Sequence, residues 1–287
     1  MERVEREARV AERERGRERG RVRPLRVLGI AGAVIAGALV VAVAAFVIWA
    51  NATYAAQPEA LGEVEQDDRV VLAERDGAVV LTPAGGAGEH GLVFFAGAKV
   101  EPEAYAATFR ETAAQGRTVV IVQSFLNLPL LETRPLSEFT DLAPEVDAWA
   151  VGGHSMGGVQ ACRVADAEPE AVHALVLFAS YCADDALAQR DDLAVLSLSA
   201  TNDGLATPEK IEASRDDLPE GAVFEAIEGA VHAQFGAYGE QSGDGAPTVS
   251  DERARDEITM ALEGFFALAS NDDEDEVGEE AAAGARR

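Results

Sequence analysis

Gly153-His154-Ser155-Met156-Gly157 sets a serine between two glycines, directly after the apolar run Ala148–Val151 and before the helically spaced stretch Met156–Ala167. A strand that turns into a helix within so few residues forces its central residue into strained backbone, and the glycines let strand and helix approach closely. Such a turn serves nucleophilic attack. The Ser155 hydroxyl is expected at the strand end, beside the positive N-terminus of the helix, with the Met156 N–H aimed where an oxyanion would form.

A serine hydroxyl is a weak nucleophile at its own pKa and needs a base, which after this kind of turn follows in the chain order serine, acid, histidine. Only His173 and His232 come after Ser155. His173 opens the apolar run Ala174–Phe178 and is expected to be structural. His232 lies in a loop after the run Ala222–Ile227 and is expected to be the general base. The turn Thr201-Asn202-Asp203-Gly204 follows the run Ala194–Ser199, so Asp203 is expected to orient the imidazole, with Asp184 and Asp185 as positional rivals. A second oxyanion donor is expected in Ala96-Gly97-Ala98-Lys99, with Ala98 supplying the amide and Gly97 letting the backbone turn. Asn127, Gln234, Phe235 and Tyr238 are placed to line a substrate pocket.

The elements that position these groups are short apolar runs at Val70–Ala73, Ala78–Leu81, Leu92–Phe95, Thr118–Val122, Ala148–Val151, Ala174–Phe178, Ala194–Ser199 and Ala222–Ile227, most of them rich in β-branched residues. They read as strands, several buried on both faces. Helical patterns intervene at Glu103–Gln115, Met156–Ala167, Pro208–Asp217 and Ser250–Leu268. Alternation of this kind predicts an α/β domain with a doubly wound, mainly parallel sheet, spanning residues 69–270. No stretch between Val176 and Leu193 is long enough for a large cap, which favours a small or medium substrate.

Ahead of this domain, residues 1–26 carry ten Arg and six Glu and read as a polar tail, while 27–50 hold no charge. At 1.5 Å per residue that uncharged run covers roughly 35 Å, enough for a transmembrane helix. It exceeds the 7–15 residues of an ordinary signal-peptide core, although Ala50-Asn51-Ala52 would suit a signal peptidase, so an anchor is expected over a cleaved leader. The arginines before the span predict an inner tail and an outward-facing domain at the cell membrane. Residues 51–68 read as a linker lifting the domain off the bilayer, and 271–287 as an acidic disordered tail.

Without the six acids and ten bases of residues 1–26, 45 acidic residues face 14 basic ones, a net charge of −31. Nucleic acid is therefore not expected as a partner, and a surface adapted to concentrated salt is. Cys162 and Cys182 match no metal or redox motif; one disulfide is open to them, and two buried thiols are the expectation.

Phe95-Ala96-Gly97-Ala98-Lys99-Val100 with Tyr105, the Gly153–Gly158 segment, Thr201-Asn202-Asp203-Gly204-Leu205-Ala206-Thr207-Pro208 and His232-Ala233-Gln234-Phe235-Gly236 together resemble the alpha/beta-hydrolase family close to dienelactone hydrolases, often found as membrane-anchored proteins of bacteria and archaea. The resemblance covers roughly Val70 to Leu268 and implies the triad Ser155, Asp203, His232. Dienelactone hydrolases of the best-known kind use a cysteine where this chain has Ser155, so dienelactone is not implied as substrate. Such relatives often carry Pro-Gly-Gly where this chain has Ala96-Gly97-Ala98. The expected activity is acyl-ester hydrolysis of a small-molecule ester through an acyl-enzyme, with no metal or organic cofactor. An envelope acyltransferase and a non-catalytic surface binding module are the alternatives on this fold.

Overall fold

The structure, a computed structural model, describes residues 3, 5, 6, 9 and 24–284, without the side chains of 24–27 and 269–284; most of the expected tail 1–26 lies outside the described residues. The chain divides into two compact units, Met1–Trp49 and Ala50–Arg287. The first unit contains nearly all of helix α1 (Pro24–Ala50), of which Leu28–Ala50 is long and apolar enough to cross a membrane. It fits either an anchor or a signal sequence.

The second unit is built on eight strands: β1 (Val70–Arg75), β2 (Ala78–Pro83), β3 (His90–Phe95), β4 (Thr118–Val122), β5 (Ala148–His154), β6 (Ala174–Phe178), β7 (Ala194–Ala200) and β8 (Val223–Ile227). They form one sheet in the order β1-β2-β4-β3-β5-β6-β7-β8. The β1–β2 hairpin joins antiparallel, and every pair from β4 to β8 is parallel. Helices α2 (Pro58–Glu65), α3 (Ala106–Ala114), α4 (Ser137–Thr140), α5 (Met156–Ala167), α6 (Pro208–Ala213) and α7 (Asp251–Gly284) accompany the sheet.

Strand alternation sends neighbours to opposite faces, each with its own core. Phe94 packs with Tyr105, Phe109, Phe178 and Phe235 against α3 and α7 on one face. Phe95 packs with Phe139, Leu175, Leu177 and α5 on the other. Complete burial of Leu92, Val93, Phe94, Val120, Leu175 and Leu177 explains the uninterrupted apolar runs.

Three expectations are corrected. Residues 51–68 are not a free linker: Val64 of α2 is buried in the domain core, and Tyr54 forms a β-bridge with Val100. Helix α7 continues to Gly284, through most of the stretch expected to be disordered. Cys162 and Cys182 are disulfide-bonded rather than free; α5 and the loop after β6 bring their Cα atoms to 5.6 Å, within bonding range. Replacing both cysteines (Cys162→Ala, Cys182→Ala) is expected to cost about 3 kcal/mol of stability, read as a lower urea midpoint with an equal or steeper slope, since the unfolded chain is then less restrained.

Candidate active site

Ser155 stands between β5 and α5 with φ 54° and ψ −122°, a region that L residues avoid. The strain is held from both sides. The Ser155 amide donates to the Phe178 carbonyl (3.0 Å), and the Ser155 carbonyl accepts from the Ser180 hydroxyl (2.6 Å). A Cβ on Gly153 would meet the Gly157 carbonyl carbon at 2.2 Å, and one on Gly157 would meet the Phe95 carbonyl oxygen at 2.0 Å. Both glycines are therefore required by close backbone packing, and Ser155 is left half-buried at the end of β5.

His232 opens a short 3-10 turn, His232–Phe235, beyond β8. Its ring is buried, and Nδ1 lies 2.8 Å from Asp203 Oδ2. Asp203, in the turn after β7, is buried as well, and its Oδ1 accepts from the Leu205 (2.7 Å) and Ala206 (2.8 Å) amides. With the carboxylate so fixed, Nδ1 carries the ring proton and Nε2 presents a lone pair. Nε2 is buried without a hydrogen-bond partner among the described residues. The imidazole lies against the ring of His154, the residue before Ser155, with ring centroids 4.4 Å apart. No Ser155–His232 hydrogen bond is formed in this state; such bonds commonly tighten only when substrate binds.

His154 takes part through a second buried chain. The Gly97 amide donates to the Tyr105 hydroxyl (2.9 Å), which in turn lies 2.9 Å from His154 Nδ1. Burial pushes the Tyr105 hydroxyl pKa up, so it keeps its proton and donates it to Nδ1. Burial, reinforced by nearby His232, holds the His154 pKa well below its ordinary value, so this imidazole is neutral at pH 7.

In the loop after β3, the Gly97 amide is committed to Tyr105 and the Lys99 amide to the Asn127 carbonyl (2.7 Å). Ala98 sits between these two committed donors. The residues expected to line a pocket are placed otherwise. Asn127 Nδ2 donates to the Ala50 carbonyl (3.3 Å). Gln234 caps its own turn through Val231 N (3.2 Å) and donates to Val249 O (3.1 Å) and Asp251 Oδ1 (2.8 Å). Phe235 is buried against Phe178 and His154, and Tyr238 donates to Gln241 Oε1 (2.9 Å). His173 is exposed, as are Asp184 and Asp185, the latter pair remote in role from the buried Asp203.

Asp244 belongs to this site although its sequence context gives no signal. Its Oδ1 accepts from the Gly204 (3.1 Å) and His232 (3.2 Å) amides, and its Oδ2 from the Ala233 amide (2.8 Å). One carboxylate thus ties the turn carrying Asp203 to the turn carrying His232. Among the described residues no cluster of His, Cys, Asp and Glu is arranged to hold a metal ion.

Residues 91–257 match the model of the alpha/beta hydrolase family. The chain belongs to the alpha/beta hydrolase family. No curated protein matches the chain. Family membership supports a hydrolase, and the matched region contains Ser155, Asp203, His232 and Asp244.

Two outcomes follow from this geometry. Asp244→Ala is expected to lower kcat about 10- to 100-fold on an aryl ester with little change in KM, since amide bonds to a charged acceptor are worth about 1.5–3 kcal/mol; Asp244→Asn, which keeps an acceptor oxygen, should recover part of the loss. His154 in the unfolded chain takes up a proton below about pH 6.5 that the folded protein refuses, so stability is lost as pH falls through that value. The unfolding free energy from urea titrations between pH 7 and 5 should therefore decline less steeply in His154→Gln, by up to about 1.4 kcal/mol per pH unit for one proton.

Proposed function

We propose that the chain is a serine hydrolase that cleaves a carboxylic ester through the triad Ser155, Asp203 and His232. One observation carries the reading: a buried imidazole, bonded at Nδ1 to a buried carboxylate, keeps an unpartnered Nε2 while packed on the residue that precedes a strained serine. A buried polar nitrogen without a partner costs about 1–3 kcal/mol, a cost that makes sense where Nε2 must be ready to accept the Ser155 proton.

In the reaction, His232 Nε2 takes the Ser155 proton as Oγ bonds to the acyl carbon. The resulting oxyanion is received by the amides of Met156 and Ala98, the latter being the donor left over between Gly97 and Lys99. The tetrahedral species collapses, the bond to the leaving alcohol breaks, and Nε2–H returns the proton to that alcohol. Water then adds to the acyl-enzyme by the same route, releasing the acid and restoring the Ser155 hydroxyl. Asp203, held by its own turn amides, steadies the imidazolium. The resemblance to dienelactone hydrolases rests on the Thr201–Pro208 and His232–Gly236 segments, and we take it as a reason for the proposed triad and not for a dienelactone substrate.

We read 27–50 as a membrane anchor with 1–26 inside and 69–270 outside. The Cys162–Cys182 disulfide supports an oxidising, outward location. The net charge of −31 on that outer portion suits concentrated salt, where a screening length of about 3 Å at 1 M removes self-repulsion.

A fluorophosphonate probe is expected to label Ser155, as mapped by peptide mass spectrometry. Ser155→Ala should abolish both labelling and turnover of 4-nitrophenyl acetate, and Asp203→Asn should lower kcat about 10^4-fold while leaving the fold intact. A folded protein that neither reacts with the probe nor cleaves the ester would end this reading.

A further inference from the structure

The chain leaves the apolar helix along the rim of the candidate site. Ala50, the last residue of α1, is buried, and its carbonyl accepts from Asn127 Nδ2 (3.3 Å) in the loop after β4. Four residues later, the Tyr54 amide donates to the Lys99 carbonyl (2.6 Å) and the Glu101 amide donates to the Tyr54 carbonyl (3.0 Å), beside the loop that holds Ala98. Thr53 Oγ1 donates to Glu101 Oε1 (2.7 Å). The segment then reaches the far wall, where the Gln57 amide donates to the Ala237 carbonyl (2.7 Å) and the Tyr54 and Tyr238 rings lie 5.7 Å apart. Residues 50–57 therefore cross from the β4 loop, past the oxyanion loop, to the loop that follows His232.

A residue adds at most about 3.5 Å of reach, so Tyr54 and Lys99 lie within about 15 Å of the point where the apolar helix ends, whatever angle that helix takes. A domain on a free linker would have no preferred face toward the bilayer. Here Tyr54 and Gln57, a few residues after the helix ends, are held beside the site by main-chain bonds at 2.6–3.0 Å. The same β4 loop carries Phe125, 65 % exposed, and Leu131, 42 % exposed, on a portion of the chain otherwise dominated by acids. An exposed aromatic beside a membrane attachment point gains by entering the interface, where water leaves its ring without loss of a hydrogen bond.

We propose that the Ser155 site opens onto the outer membrane–water interface, with Phe125 seated in it, and that the substrate is a membrane-resident amphiphile whose ester lies at headgroup depth. The proposal rests on the serine-hydrolase reading and on 27–50 remaining attached as an anchor. It commits to a lipid surface as the occupant of the Phe125–Leu131 face, where Phe125 is the most exposed large apolar side chain of residues 51–268. An ester already held in the bilayer needs no capping domain to gather it, which agrees with a Ser155 that is only half-buried.

The test uses the full chain reconstituted in phosphatidylcholine vesicles. Phe125→Trp is expected to show tryptophan emission quenched by brominated phosphatidylcholine beyond the level given by Trp49 and Trp149 in the unaltered protein. Phe125→Asp should cleave a vesicle-embedded long-chain 4-methylumbelliferyl ester about 10- to 100-fold more slowly, the share expected from one buried aromatic ring, with 4-nitrophenyl acetate turnover held within twofold. Absence of extra quenching overturns the proposal, as does cleavage of the vesicle-embedded ester at an unchanged rate by Phe125→Asp. Turnover of 4-nitrophenyl acetate with none of the embedded ester overturns the proposal but leaves the serine hydrolase standing. Failure on both esters without fluorophosphonate labelling overturns both. A mature protein that has lost residues before Thr53 overturns the membrane-facing assignment alone.

Discussion

An imidazole and a carboxylate buried together at 2.8 Å, His232 and Asp203, constrain everything around them. Removing both from water costs several kcal/mol per charge unless every remaining polar atom finds a partner. Asp203 meets that demand with two amides from its own turn, and the two turns are held in register by Asp244. His232 leaves one atom unmet, Nε2. The rest of the architecture serves to deliver the pair to the same sheet edge as Ser155: parallel strands β5, β7 and β8 end together, and each hands its chain to a tight turn at that edge.

Behind the pair, a second buried chain from Gly97 through Tyr105 to His154 fixes the floor of the site. It sets which amide of the β3 loop is spent and which is left, and it keeps a neutral ring under His232. A charged His154 in that position would repel the imidazolium that the proposed reaction forms at His232, so its depressed pKa and that chemistry point the same way. Local strain at Ser155 is retained because backbone approaches at Gly153 and Gly157 leave the turn no alternative path.

Much of this was legible in the sequence because the determining signals are local. Short apolar runs mark strands, the continuous ones being the buried parallel strands, and all eight strands fall where those runs lie, with ends shifted by a few residues, although β1 and β8 are largely exposed. Ser155, Asp203 and His232 are picked out by position relative to strand ends, and the structure brings the Asp203 and His232 side chains to 2.8 Å. What escaped were contacts between segments far apart in the chain. Asp244 lies in an aperiodic loop whose carboxylate reaches back to Gly204 and His232, and spacing alone carries no trace of that return. Gln234 and Asn127 have side chains suited to a ligand, yet both are used to pin loops. The Cys162–Cys182 bond and the docking of 54–65 likewise depend on three-dimensional approach, which amino-acid types leave open.

The central claim is that the Asp203–His232 pair works on Ser155. Proton NMR of the native domain should show a far-downfield exchangeable resonance from His232 Nδ1–H, absent in Asp203→Asn, that moves further downfield once Ser155 is phosphonylated and the imidazole becomes charged beside the adduct. A resonance that stays where it was after Ser155 is fully modified would mean that the imidazole does not reach the hydroxyl, and would contradict the account.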